Sequence, residues 1–107
     1  MLPDIFSAGK ISAPSAIACP NTAAKTIGGE NVKAEVPTEM TLGDIKDTIQ
    51  DFVTAARLSK EAGLDGVEFH SGNGYLFDTF FQSSTNKRTD EYGGSIENRC
   101  RFLKDNV

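Results

Sequence analysis

The stretch Gly66-Val67-Glu68-Phe69-His70-Ser71-Gly72-Asn73-Gly74-Tyr75 decides how this chain is read. Val67, Glu68 and Phe69 alternate apolar and polar, which predicts a short strand over 66–70. His70, Asn73 and Tyr75 then arrive in quick succession, separated by Gly72 and Gly74. Glycine reaches backbone angles closed to other residues, so the chain can turn sharply here and aim an imidazole, a carboxamide and a phenol at one space. Such a trio can receive negative charge developing on a carbonyl oxygen and supply a proton beside it. The bland reading is an ordinary turn after a strand with its histidine satisfied, the commoner outcome for a lone His beside Asn-Gly.

Upstream of this stretch the pattern is helical. Thr41 can accept a backbone N–H bond as an N-cap, and Asp44 stands in the capping-box position near the positive helix end. Leu42, Ile45, Ile49, Phe52, Val53 and Ala56 then recur every three to four residues, predicting an amphipathic helix that stops near Ala62 because Gly63 follows. Leu64-Asp65 is a tight connection from that helix back to the strand, half of an alternating helix and strand unit.

Downstream, Leu76, Phe77, Phe80 and Phe81 are spaced for a short helix whose aromatics fill the core. A polar loop follows over 83–94, in which Arg88, Asp90 and Glu91, with Arg99 and Arg101 beyond it, suggest an ion-pair network holding the loop. Ser95 can cap a last helix from Ile96 to about Asn106, with Ile96, Cys100, Leu103 and Val107 as its apolar stripe and Phe102 beside it. Gly93-Gly94 before a helix start can hold a phosphate, but a bare Gly pair is usually a turn and the GxGxxG spacing is missing. Glu68 beside the site could act as a general base, although strand alternation already accounts for it.

Residues 1–40 carry the weakest pattern. Pro3, Pro14, Pro20 and Pro37 interrupt them, and they read as loop, with a short strand over Ser15–Cys19 and a small hairpin closed by Gly28-Gly29-Glu30-Asn31 onto residues 32–36.

Composition sets the outer bounds. A chain of 107 residues suits one domain and can bury roughly 65% of its unfolded surface. Eleven basic against fifteen acidic residues give a net charge of -4, which argues against nucleic acid as a partner. No stretch approaches the ~20 apolar residues of a membrane helix. Cys19 and Cys100 are far apart and in no His/Cys cluster, so neither a metal site nor a disulfide framework is expected. The N-terminus lacks the basic and apolar segments of a secretory signal, and a cytoplasmic location with reduced thiols is expected.

Longer motifs add what spacing cannot. Gly66 to Leu76, reading Gly-Val-Glu-Phe-His-Ser-Gly-Asn-Gly-Tyr-Leu, and Asn86 to Phe102, reading Asn-Lys-Arg-Thr-Asp-Glu-Tyr-Gly-Gly-Ser-Ile-Glu-Asn-Arg-Cys-Arg-Phe, together resemble the central signature of the old yellow enzyme family. These are FMN-dependent NAD(P)H oxidoreductases of the ene-reductase type, including 12-oxophytodienoate reductases, built as eight-stranded (β/α) barrels. The resemblance is strong from Thr41 to Val107 and loose over residues 1–40. It implies an α/β fold that is a partial (β/α)8 TIM barrel, a helix-strand-helix slice around the fourth strand. Residues 41–107 would be the core of that slice and residues 1–40 a variable loop or hairpin excursion before it.

Carried over by position, the resemblance makes His70 and Asn73 the pair that binds the oxygen of an enone or phenolic ligand, and Tyr75 the proton donor. Reduced flavin would deliver hydride to the β-carbon of the alkene, His70 and Asn73 would take up charge on the enolate oxygen, and Tyr75 would protonate the α-carbon. A phenol is protonated at neutral pH and can donate, and a site at a strand's C-terminal end suits a barrel. Gly72 departs from the pattern, since the family usually carries Ala there. Length is the larger departure. A whole barrel needs about 250 residues, so this chain is expected to lack most FMN contacts, to lose FMN when alone and to be inactive alone. The alternative is a non-catalytic module that binds a partner or its own copy through apolar helix faces left uncovered.

Overall fold

The computed structural model describes residues 10–20, 23–25 and 28–107. The reading of the N-terminal forty residues as loop therefore falls partly outside the described residues, at 1–9, 21, 22, 26 and 27. Within the remainder the order is β1 (Ser12–Ala13), β2 (Ala23–Lys25), β3 (Asn31–Lys33), β4 (Thr38–Glu39), α1 (Leu42–Glu61), α2 (Leu76–Phe81) and α3 (Ile96–Lys104).

The helix ends follow local chemistry. Thr41 caps α1 with both bonds of a capping box, its hydroxyl accepting from the Asp44 N–H at 3.0 Å and its own N–H donating to Asp44 Oδ2 at 2.8 Å. These bonds hold the Asp44 carboxyl below its ordinary range. Gly63 follows the C-cap residue Ala62 with φ 91°, the left-handed geometry that ends a helix without steric conflict. Ser95 caps α3 by accepting from the Asn98 N–H at 3.2 Å.

Two small sheets replace the expected loop in the N-terminal part. β1 and β4 pair in parallel, Ser12 opposite Thr38 and Ala13 opposite Glu39. β2 and β3 form an antiparallel hairpin, with Gly29 at φ 82° in its connection. The hairpin matches expectation. The strand expected over Ser15–Cys19 does not form. Pro14 ends the extended run, and the Ser15 hydroxyl instead accepts from the Lys87 N–H at 2.8 Å.

The core is aromatic. Met40, Ile45, Phe77, Phe80, Tyr92 and Phe102 are buried, with Ile49, Phe52, Phe69, Leu76, Phe81 and Leu103 packed around them. Phe102 joins the two shorter helices, stacking on Phe77 at 4.9 Å and lying 4.4 Å from Phe80. The expected filling of the core by the aromatics of α2 is therefore realised.

The predicted stripe of α3 is realised only in its middle, where Leu103 packs on the core and Cys100 is half-buried. Ile96 is 72% and Val107 85% exposed, whereas Phe102 is fully buried. An apolar stripe says which residues can face a core, but the partner, here the aromatic face of α2, determines which do. On α1, Ile45, Ile49 and Phe52 meet the core while Leu42 and Val53 remain about half exposed.

The strand expected over Gly66–His70 is absent as a hydrogen-bonded element: among the described residues, no ladder pairs with it. A strand needs a neighbour for its N–H and C=O groups, and none of the four strands runs beside this segment. Phe69 anchors it, its ring centroid 5.6 Å from that of Phe52 on α1 and 5.5 Å from that of Phe77 on α2, both edge-on.

Candidate active site

With Phe69 turned inward, the next residues turn outward. Ser71 steadies the exit by donating its hydroxyl to the Phe69 carbonyl at 3.1 Å. Asn73 and Gly74 then take consecutive left-handed conformations, φ 59° and 81°, and Asn73 is the only non-glycine residue with positive φ among the described residues. Asn is one of the few side chains that accept this geometry, and such angles concentrate where a fold holds functional groups. The Tyr75 N–H closes the turn on the Gly72 carbonyl at 3.3 Å.

The turn brings two of the expected side chains into contact. The rings of His70 and Tyr75 lie 4.9 Å apart between centroids, edge to face at 63°. His70, Asn73 and Tyr75 are all exposed, Tyr75 at 64%. All three leave one six-residue turn whose backbone passes directly onto α2. Glu68 is exposed on the segment before the turn.

Tyr75 occupies the N-cap of α2 and makes no side-chain capping bond. A Tyr there forgoes the bond that Ser, Thr, Asp or Asn would make, a difference of about 1 kcal/mol. The sequence reading passed over Asp78, whose Oδ2 accepts from the Gly74 N–H at 2.9 Å. An acid three residues after a helix start is a sequence-level signal, but Tyr75 in the cap position hid it.

Behind the turn, the loop expected to be an ion-pair network is held mainly by carbonyls. Arg88 is buried, and its Nη1 donates to the Pro14 carbonyl at 3.0 Å and the Met40 carbonyl at 2.5 Å. The Asp90 carboxylate receives its other bonds, Nε to Oδ1 at 3.0 Å and Nη2 to Oδ2 at 2.5 Å, and Arg88 thereby holds the Asp90 carboxyl below its ordinary range. Arg99 donates to the Phe81 and Gly94 carbonyls, and Arg101 to the Glu91 carbonyl and the Asn98 side chain. Asn86 is buried and bridges the Phe80 and Tyr92 carbonyls, both at 2.8 Å. Tyr92 donates its hydroxyl to Asp105 at 2.9 Å, and burial, then this carboxylate, push the phenol up to about 12.

Comparison with known proteins places these features. The family model of the NADH:flavin oxidoreductase / NADH oxidase family matches residues 7–107. The chain belongs to this family. A Leishmania infantum relative named as a probable flavin mononucleotide-dependent alkene reductase is 48% identical over 99 residues, 88% of this chain and 27% of that protein. The NADPH dehydrogenase of Bacillus velezensis is 46% identical over 99 residues, 92% of this chain and 26% of that protein. Among solved structures, the old yellow enzyme homologue from Zymomonas mobilis superposes with TM-score 0.81 at 45% identity, over 88% of this chain and 26% of its own. Morphinone reductase in complex with tetrahydroNAD gives TM-score 0.80 at 36% identity, over 88% and 27%.

The chain thus spans about a quarter of the length of the relatives it matches. It is an α/β segment with the structure of part of an old yellow enzyme barrel. The family uses FMN and NAD(P)H. None of the four arginines is free to hold an FMN phosphate, because Arg88, Arg99 and Arg101 are committed to backbone carbonyls and neighbouring side chains and Arg57 to Glu61. Among the described residues no helix is long and apolar enough to cross a membrane, and no cluster of metal-ligating side chains occurs.

Proposed function

We propose that the protein to which these residues belong reduces the activated C=C bond of α,β-unsaturated carbonyl compounds with FMN and NAD(P)H, and that this chain supplies the substrate side of the site. His70 and Asn73 bind the carbonyl or phenolic oxygen, and Tyr75 gives the proton. The chain is the slice around the fourth strand, with 41–107 as its core and 1–40 as the excursion before it. Holding the flavin is assigned to residues outside this chain.

The observation that carries this reading is the His70–Tyr75 contact across a turn with Asn73 in the left-handed region. In an enone the carbonyl oxygen and the α-carbon are separated by a single carbon, so groups that stabilise charge on one and protonate the other must be neighbours. An imidazole and a phenol in edge-to-face contact meet that requirement. Asn73 lies between them in sequence and adds a second donor to the oxygen. Donors at such a site act on the charge that develops on the oxygen as the β-carbon accepts hydride and that protonation of the α-carbon then discharges, and a lost donor there costs about 3 kcal/mol.

Titration of the 107-residue chain with a phenol, followed by the ligand's absorbance, tests the oxygen-binding role. His70→Ala and Asn73→Ala should each weaken binding, by up to roughly a hundredfold if the bound form is the phenolate. Unchanged affinities would refute the assignment. In the longer protein that carries these residues, loaded with FMN and supplied with NADPH, Tyr75→Phe should spare reduction of the flavin and slow that of the alkene; equal alkene rates would remove Tyr75 as the donor.

A second reading, a non-catalytic self-associating module, is favoured by apolar side chains left in water: Val53, Leu58, Leu64 and Val67 are 50–61% exposed. Patches of this kind mark interaction sites. Sedimentation separates the two, since a monomer at micromolar concentration that binds phenols excludes the module, and a phenol-blind oligomer supports it.

A further inference from the structure

We infer that Asp78 is a positioning residue for this site, holding the turn that sets Asn73 and Tyr75; the inference rests on the reading of His70, Asn73 and Tyr75 given above. The chain contains its own control. In α1, the acid three residues past the N-cap returns to the N–H of the cap residue itself, Asp44 to Thr41 at 2.8 Å. In α2, Asp78 holds the equivalent place after Tyr75 but does not take the Tyr75 N–H, which goes to the Gly72 carbonyl at 3.3 Å. Its Oδ2 reaches one residue further, to the Gly74 N–H at 2.9 Å.

Gly74 is the peptide between the ligand-binding amide and the proton donor. Its φ of 81° follows the 59° of Asn73, so two successive left-handed residues are oriented by one carboxylate. The second oxygen, Oδ1, accepts from Gln82 Nε2 at 3.2 Å at the far end of α2. Asp78 is thereby fixed between the helix and the turn. A short helix whose cap residue makes no side-chain bond of its own is otherwise poorly defined at this end. The consequence is geometric: releasing Gly74 lets the two left-handed residues relax, and with them the His70–Tyr75 contact.

The test uses the full chain and two substitutions. Asp78→Ala removes both acceptors, whereas Asp78→Asn keeps one oxygen for the Gly74 N–H and an amide able to meet Gln82. In Asp78→Ala the Gly74 amide should exchange with solvent roughly fivefold faster, the nuclear Overhauser contact between the His70 and Tyr75 rings should weaken, and phenol affinity should fall, with helix content unchanged. Asp78→Asn should restore all three. Asp78→Ala with wild-type exchange and ring contact, or with a lost ring contact but wild-type phenol affinity where His70→Ala loses it, would overturn the inference. So would an Asp78→Asn protein as damaged as the Ala variant. If His70→Ala itself leaves phenol binding unchanged, the site reading falls, and Gly74 exchange still reports whether Asp78 holds the turn.

Discussion

Replacing Arg88 by Met keeps the apolar stem and removes the guanidinium, and the structure sets the size of the loss. Two buried carbonyls, of Pro14 and Met40, lose their donor. An unsatisfied buried carbonyl costs roughly 1–3 kcal/mol, so the pair accounts for about 2–6 kcal/mol. Asp90 also loses its partner, but its side chain is 31% exposed and water can replace the guanidinium there, so little is added. A domain of this size has a total stability of about 5–15 kcal/mol. The substitution therefore consumes a large part of it. Urea unfolding followed by circular dichroism should show the midpoint falling by roughly 2 M at a slope near 2 kcal/mol/M, with the slope unchanged. Arg88→Lys should recover only part of this, because an ammonium's three donors share one nitrogen and cannot span the acceptors that Nε, Nη1 and Nη2 reach separately. A loss under about 1 kcal/mol for Arg88→Met would refute the reasoning, since it would mean the carbonyls find water or other donors.

The remaining predictions concern the turns and pH. Gly93→Ala should destabilise by at least about 1–3 kcal/mol, because the new Cβ would lie 2.5 Å from Arg88 Cβ and 2.8 Å from its carbonyl carbon, with backbone rather than a movable side-chain tip in the way; a wild-type melting temperature would contradict this. Asn73→Gly relieves a positive φ of 59° while deleting the carboxamide, so it should leave stability equal or raised by up to about 1 kcal/mol while phenol affinity falls; loss of both together would show that the amide is structural. Gly72→Ala should be tolerated, because its Cβ would meet nothing within 4 Å and its φ is not positive; aggregation or unfolding would refute that. Tyr92 is raised to about 12 in the folded chain from an ordinary 10.0, so its contribution is complete below pH 10.0 and is lost as pH rises toward 12. Thermal melts across that window should show a decline that Tyr92→Phe removes, and identical pH profiles would exclude the Tyr92–Asp105 pair as its source.

How much could be read before folding depends on the range of the interactions involved. The ends of α1 were legible because a cap, an acid three residues on and a terminal glycine act within one turn. The same holds for Ser95 before α3 and for the spacing of the aromatics of α2. The candidate residues were legible as a cluster, since His70, Asn73 and Tyr75 lie close in sequence, and their neighbours carried the motif of the family whose model matches residues 7–107. Their mutual geometry was not, because the ring contact and the left-handed pair depend on how Asp78 and Phe69 fix the two ends of the turn.

The sequence alone determined where α1 begins and ends and where α3 begins, that residues 70–75 form a turn crowded with donors, and which family the motif belongs to. Tertiary structure alone decided that Phe102 rather than Ile96 faces the core, that residues 66–70 run without a sheet partner, and that Arg88 joins the loop to Pro14 and Met40 across 74 and 48 positions. The division follows from distance along the chain. Caps and turns are satisfied by groups a few residues away, whereas a buried face, a strand ladder and a buried guanidinium each need partners that local pattern does not name.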